Sequence, residues 1–214
     1  MDTSVLPTHL SVFLLAALVL LLIPGPAVLY IVTRSVDQGR RAGLASVLGV
    51  ELGNSVHVVA ATFGLSAIML TSALAFSIVK YAGAAYLIYL GVRTLLSPDT
   101  PTAGPAPVSR SLRRTFSQGA LVATLNPKTA LFFLAFLPQF IDAGKGNISL
   151  QFLILGLLFV AMAIVTDSTY ALLSGTAGQW LRHSTLFRGF QRYVAGAIYI
   201  GLGLTAAFSG GGKE

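Results

Sequence analysis

The chain has 214 residues, of which 55% are hydrophobic and only 10% charged, with a mean hydropathy of +0.80. A soluble domain of this size needs far more surface charge. It contains no cysteine, which excludes disulfides, thiol redox chemistry and cysteine metal sites. Its net charge of +7 does not point to nucleic acid, because the basic residues sit at the ends of apolar segments, as at cytoplasmic membrane edges.

No charged residue lies between Leu10 and Thr33, Leu52 and Val79, Gly146 and Thr166, or Tyr193 and Gly212. Runs of about 20 apolar residues span a bilayer as helix. The pattern predicts an all-α integral membrane protein with six transmembrane helices, near residues 9–32, 43–69, 73–96, 116–138, 149–175 and 191–209. The first run has no Lys or Arg before Arg34, so it is read as a span and not as a signal peptide.

The first span contains Pro24-Gly25-Pro26. Proline has no N–H to donate and crowds the preceding turn, so the run is expected to break there. Lys and Arg then sort the loops. Arg34, Arg40 and Arg41 follow the first span, Arg93, Arg110, Arg113 and Arg114 the third, and Arg182, Arg188 and Arg192 the fifth. The other face has Lys80, Lys145 and Lys213. The positive-inside rule makes the first set cytoplasmic and puts both termini outside.

The second span carries Glu51, Asn54, Ser55 and His57. Glu51 lies about 12 Å along it. The third ends in "KYAGAAYLIYLG" (80–91) and the sixth in "RYVAGAIYIGLG" (192–203). Between the halves, "SPDTPTAGPAPVS" (97–109) holds four of the nine prolines and is read as an extended cytoplasmic linker. The expected organisation is a three-helix unit over 1–96, a linker over 97–115 and a second three-helix unit over 116–214, the two inserted in opposite directions as an inverted repeat. The fourth span breaks at Asn126-Pro127, with Lys128 next. The fifth carries Thr166, Asp167 and Ser168.

Helices broken at matching places in two inverted halves point to a transporter binding site. Carboxylates deep in a membrane are costly and usually functional, so Glu51 and Asp167 are candidate proton carriers, with His57 a third. Lys128 is expected to pair with one of the acids or to hold a solute carboxylate. Gly39, Gly43, Gly49 and Gly53 read as close-packing positions. The tyrosines at 81, 86, 89, 193 and 199 are either interface anchors or pore lining. No metal site and no cofactor is expected.

The segments "PGPAVLYIVTRSVDQGRRAGLASVLGVELGNSVH", "GAAYLIYLGVRTL", "LNPKTALFFLAFLPQF" and "GAIYIGLGL" resemble the bacterial lysine-exporter/homoserine-threonine-exporter (LysE/RhtB) family. The resemblance runs from about residue 10 to 208. It implies an inner-membrane exporter of amino acids, driven by proton exchange and acting as a homodimer. It also implies translocation-path roles for Pro24, Gly25, Pro26, Asn126, Pro127, Lys128 and Asp167. Members often have an acid where Asn54 stands, a polar residue where Ala27 stands, and a small or aliphatic residue where Glu51 stands. The hypothesis is that Glu51, one turn from Asn54, replaces that acid.

The function expected is therefore secondary export of amino acids or related amphoteric solutes, coupled to protons or Na⁺. Two alternatives stand beside it. One is a membrane-embedded enzyme using Glu51, His57 and Asp167 as acid/base groups. The other is a non-catalytic subunit that packs through its glycines.

Overall fold

The computed structural model describes residues 10–96, 111–183 and seven positions between 193 and 208. Among these the chain is helical, with no strand. Helix α1 (Leu10–Leu22) ends before the Pro-Gly-Pro segment, and α2 (Pro26–Gln38) restarts with proline in its first turn. That position suits proline, whose fixed φ matches the first turn of a helix. The two meet at a bend of 49°.

Gly39, at φ 81°, ends α2, a conformation that favours glycine. Helix α3 (Arg40–Ala60) follows and runs through a π-turn (Ala61–Leu65) into α4 (Ser66–Thr71). Helix α5 (Ala73–Leu96) is 24 residues long. The linker is outside the described residues up to 110. Helix α6 (Leu112–Thr124) begins earlier than the expected 116, because Ser111 caps it by accepting from the Arg114 N–H.

The second break separates α6 from α7 (Pro127–Leu131), which continues through a π-turn (Phe132–Phe136) and a 3-10 turn (Leu137–Phe140). This pair bends by 42°. A short 3-10 turn (Ala143–Lys145) leads to α8 (Ile148–His183). Most of the sixth expected span lies outside the described residues; its seven described positions are helical.

Arg40–Thr71 and Ile148–Ser174 are long and apolar enough to cross a membrane, and each bent pair qualifies if counted as one span. Leu15, Leu48, Phe63, Leu70 and Val165 are all exposed, an apolar exterior that suits lipid. Lys80, expected near an interface, is buried, with Nζ 5.3 Å from the Tyr81 ring centroid. Tyr81, Tyr86, Tyr89 and Tyr193 are exposed.

Lipid tails are as apolar as leucine, so helices in a bilayer associate through shape, small residues and hydrogen bonds. Helix α3 shows this against α6. A Cβ on Gly49 would strike the Phe116 carbonyl, and one on Gly53 would come within 2.6 Å of Ala123 Cβ. The packing expected of Gly43, Gly49 and Gly53 is thus observed, whereas Gly39 serves as a cap. A phenylalanine cluster fixes α1 to the far side of the second break. Phe132 and Phe159 stack at 5.0 Å, and Phe13 meets Phe140 edge-on at 5.4 Å.

Candidate functional site

Each proline in a break removes the N–H that an unbroken helix would give to the carbonyl four residues upstream. For Pro24 this is Leu20, for Pro26 it is Leu22, and for Pro127 it is Ala123. In lipid none of these can turn to water.

All three carbonyls meet a donor from another helix. Lys128 Nζ donates to Leu20 O at 2.6 Å and to Ile23 O at 2.5 Å. The Tyr170 hydroxyl donates to Leu22 O at 2.8 Å. His57 Nε2 lies 3.1 Å from Ala123 O; a carbonyl only accepts, so Nε2 carries the proton in this bond. The His57 ring also stacks on Phe133 at 6.1 Å. Local backbone bonds assist, Ile23 N–H to Leu20 O at 3.2 Å and Asn126 N–H to Ala123 O at 3.0 Å.

The reach is reciprocal. Helix α8 sends Tyr170 to the first break, and α3 sends His57 to the second. The second break is further held by Asn126, whose Oδ1 accepts from the Lys128 N–H at 3.1 Å while Nδ2 donates to Thr129 Oγ1 at 3.2 Å.

The two breaks meet around one cavity of about 20 Å³, lined by Leu20, Leu21, Gly25, Ala27 and Val28 from the first, Asn126, Lys128 and Thr129 from the second, Asn54 of α3 and Phe159 of α8. A Cβ at Gly25 would lie 3.0 Å from Lys128 Cδ, so a side chain there would press on the lysine stem.

Beside the cavity lie the acids. Glu51 is 6% exposed, Asp167 3% and Lys128 6%. Asn54 Nδ2 donates to Glu51 Oε2 at 3.1 Å. Glu51 and Asp167 are within hydrogen-bonding reach of each other, and Asp167 and Lys128 attract electrostatically. Glu51 Oε1, Asn54 Oδ1 and Asp167 Oδ1 are buried without a hydrogen-bond partner. Such atoms cost free energy unless a further group serves them.

The structure therefore brings together Pro24, Gly25, Pro26, Glu51, Asn54, Asn126, Pro127, Lys128 and Asp167, with His57 at the second break. Lys128 was expected on an acid or a solute carboxylate; its hydrogen bonds go to backbone carbonyls instead, with Asp167 as its electrostatic neighbour. Tyr170 was missed by the sequence reading. Its spacing of one turn from Asp167 was the available signal.

Comparison with known proteins bears on this geometry. The family model described as LysE type translocator matches residues 18–210. An uncharacterised membrane protein of Bacillus subtilis, YrhP, is 32% identical over 202 residues, covering 90% of this chain and 95% of its own. A Salmonella typhimurium protein named homoserine/homoserine lactone efflux protein is 30% identical over 195 residues, covering 91% and 94%. A Vibrio cholerae membrane protein is 29% identical over 195 residues, with the same shares. No solved structure gives a significant match. A family match over nearly the whole chain, on helices broken as described, means that this protein belongs to the LysE-type translocators of the membrane.

Proposed function

We propose that the chain exports an amino acid or a related small amphoteric solute from the cytoplasm, between its two helix breaks, in exchange for protons. The observation that carries this is the meeting of both breaks around one cavity beside two buried carboxyl groups. Irregular backbone at membrane depth is tolerated where other protein covers it or where it lines a cavity.

A cavity of about 20 Å³ has room for one water. This state is therefore closed, and carriage requires α2 and α7 to part. Two carboxyl groups in hydrogen-bonding reach repel strongly when both are ionised in dry surroundings. The pair Glu51–Asp167 accordingly holds a proton when closed and gives it up when the path opens to water. Na⁺ is the second candidate ion. The proton is preferred because two neighbouring carboxyl groups can share one between them.

Homoserine is the first solute to test, because the Salmonella relatives are named for it and its lactone. The two share a primary ammonium group, and the lactone has no carboxylate. The same reading takes six spans as two oppositely inserted triplets in a bacterial inner membrane, with both termini outside and two copies as a homodimer. The reciprocal reach of Tyr170 and His57 supports the inverted arrangement. The membrane-enzyme alternative requires Glu51, His57 and Asp167 around one substrate, yet His57 is bonded to Ala123 O at the second break while Glu51 is bonded by Asn54.

The test is flux in vesicles that contain the purified chain. Labelled homoserine, threonine, lysine and arginine are each offered with and without a pH gradient. Gradient-dependent movement of at least one is expected. Flux of none, or flux indifferent to the gradient, overturns the proposal.

A further inference from the structure

We infer that the carbonyl oxygens of Leu20 and Ile23 form a site for the solute's primary ammonium group, which Lys128 fills in the closed state and vacates when solute enters. This deepens the transport reading and rests on it.

The two oxygens are open for separate reasons. Leu20 O has lost its helical donor to Pro24 and keeps a backbone bond from the Ile23 N–H at 3.2 Å, which leaves its second lone pair to serve. Ile23 O lies past the C-terminal end of α1, where the helix dipole is negative and attracts cations. Lys128 Nζ donates to both, at 2.6 and 2.5 Å. Gly25 leaves the lysine stem its path. Leu20, Gly25 and Lys128 also line the cavity, so a solute that widens it meets this cradle first.

A solute ammonium is chemically what Lys128 already presents, one charge and three N–H donors. Asp167, the electrostatic neighbour of Lys128, is there to receive the displaced side chain. The exchange leaves both cations paired, so no buried charge is abandoned. A trimethylated amine has the charge but no N–H. An N-acetylated amine has one N–H and no charge. Neither replaces Lys128.

The test uses thermal unfolding in detergent of the full chain carrying Lys128→Ala, with methylammonium or tetramethylammonium chloride added. Methylammonium is expected to raise the midpoint by about 5 °C at saturation, and to raise the wild-type midpoint less, because there it must first displace Lys128. Tetramethylammonium is expected to do nothing. Adding Pro24→Ala restores an N–H for Leu20 O and is expected to cancel the rise. No rise with methylammonium, an equal rise with tetramethylammonium, or a rise that survives Pro24→Ala each overturns the inference. A second measurement needs no variant: wild-type homoserine flux should be inhibited by methylammonium and not by N-acetylhomoserine, and equal inhibition by both counts against the site. Midpoint shifts read the cradle without transport, so absence of amino-acid flux alongside a specific methylammonium shift refutes the export reading alone.

Discussion

Replacing Tyr170 by Phe removes one hydroxyl and leaves the Leu22 carbonyl without its donor. The cause of that carbonyl's need is Pro26, four residues on. If the proline makes the hydroxyl necessary, the cost of Tyr170→Phe depends on what stands at position 26. In the wild type, an unmet carbonyl in a half-buried membrane setting costs about 1–2 kcal/mol. For a chain of this length that is about 2–8 °C in unfolding midpoint. In a Pro26→Ala background an N–H is again present to serve Leu22 O, and Tyr170→Phe should cost close to nothing. Circular-dichroism melts of the wild type, both single variants and the double variant close the cycle. An equal loss in both backgrounds, or none in either, refutes the claim that α8 supplies what the first proline break removes.

Further outcomes follow from the same geometry. His57→Ala should destabilise the chain by about 1 kcal/mol, with the loss absent in a Pro127→Ala background; the same melts check it. Gly53→Ala should cost about 1–3 kcal/mol from overpacking, because its Cβ meets the Ala120 carbonyl at 2.5 Å; Leu48→Ala, on an exposed position of the same helix, should cost far less. Glu51→Gln should abolish pH-gradient-driven flux in vesicles while the protein still folds; normal gradient-driven flux in that variant removes Glu51 from the coupling.

Much of the fold was legible because the bilayer constrains it so strongly. Charge-free runs marked α1, most of α2, the later part of α3, α4 and most of the apolar part of α8, and Pro24, Pro26 and Pro127 marked both breaks. The burial of Glu51, Asp167 and Lys128 followed from the cost of placing charge in mid-membrane. The open carbonyls were legible too, by counting four residues back from each proline. Their donors were not. Tyr170 is 148 residues from Leu22, Lys128 is 108 from Leu20, and His57 is 66 from Ala123, and such pairings depend on helix packing that local sequence does not encode. The π-turns at 61–65 and 132–136 carry no proline signal and were read as plain helix. The tyrosines of α5 could not be divided between lipid and pore because Gly/Ala-rich helices offer faces of similar polarity.

The central claim is that solute passes where the two breaks meet. The chain has no native cysteine, so single cysteines can be placed at Ala27 and Thr129, one on each wall of the cavity, and at the exposed Leu48. Reaction with a membrane-permeant thiol reagent is then timed with and without a saturating transported solute. Slowed reaction at 27 and 129, and an unchanged rate at 48, is the predicted result. Equal rates with and without solute at both wall positions would contradict the account.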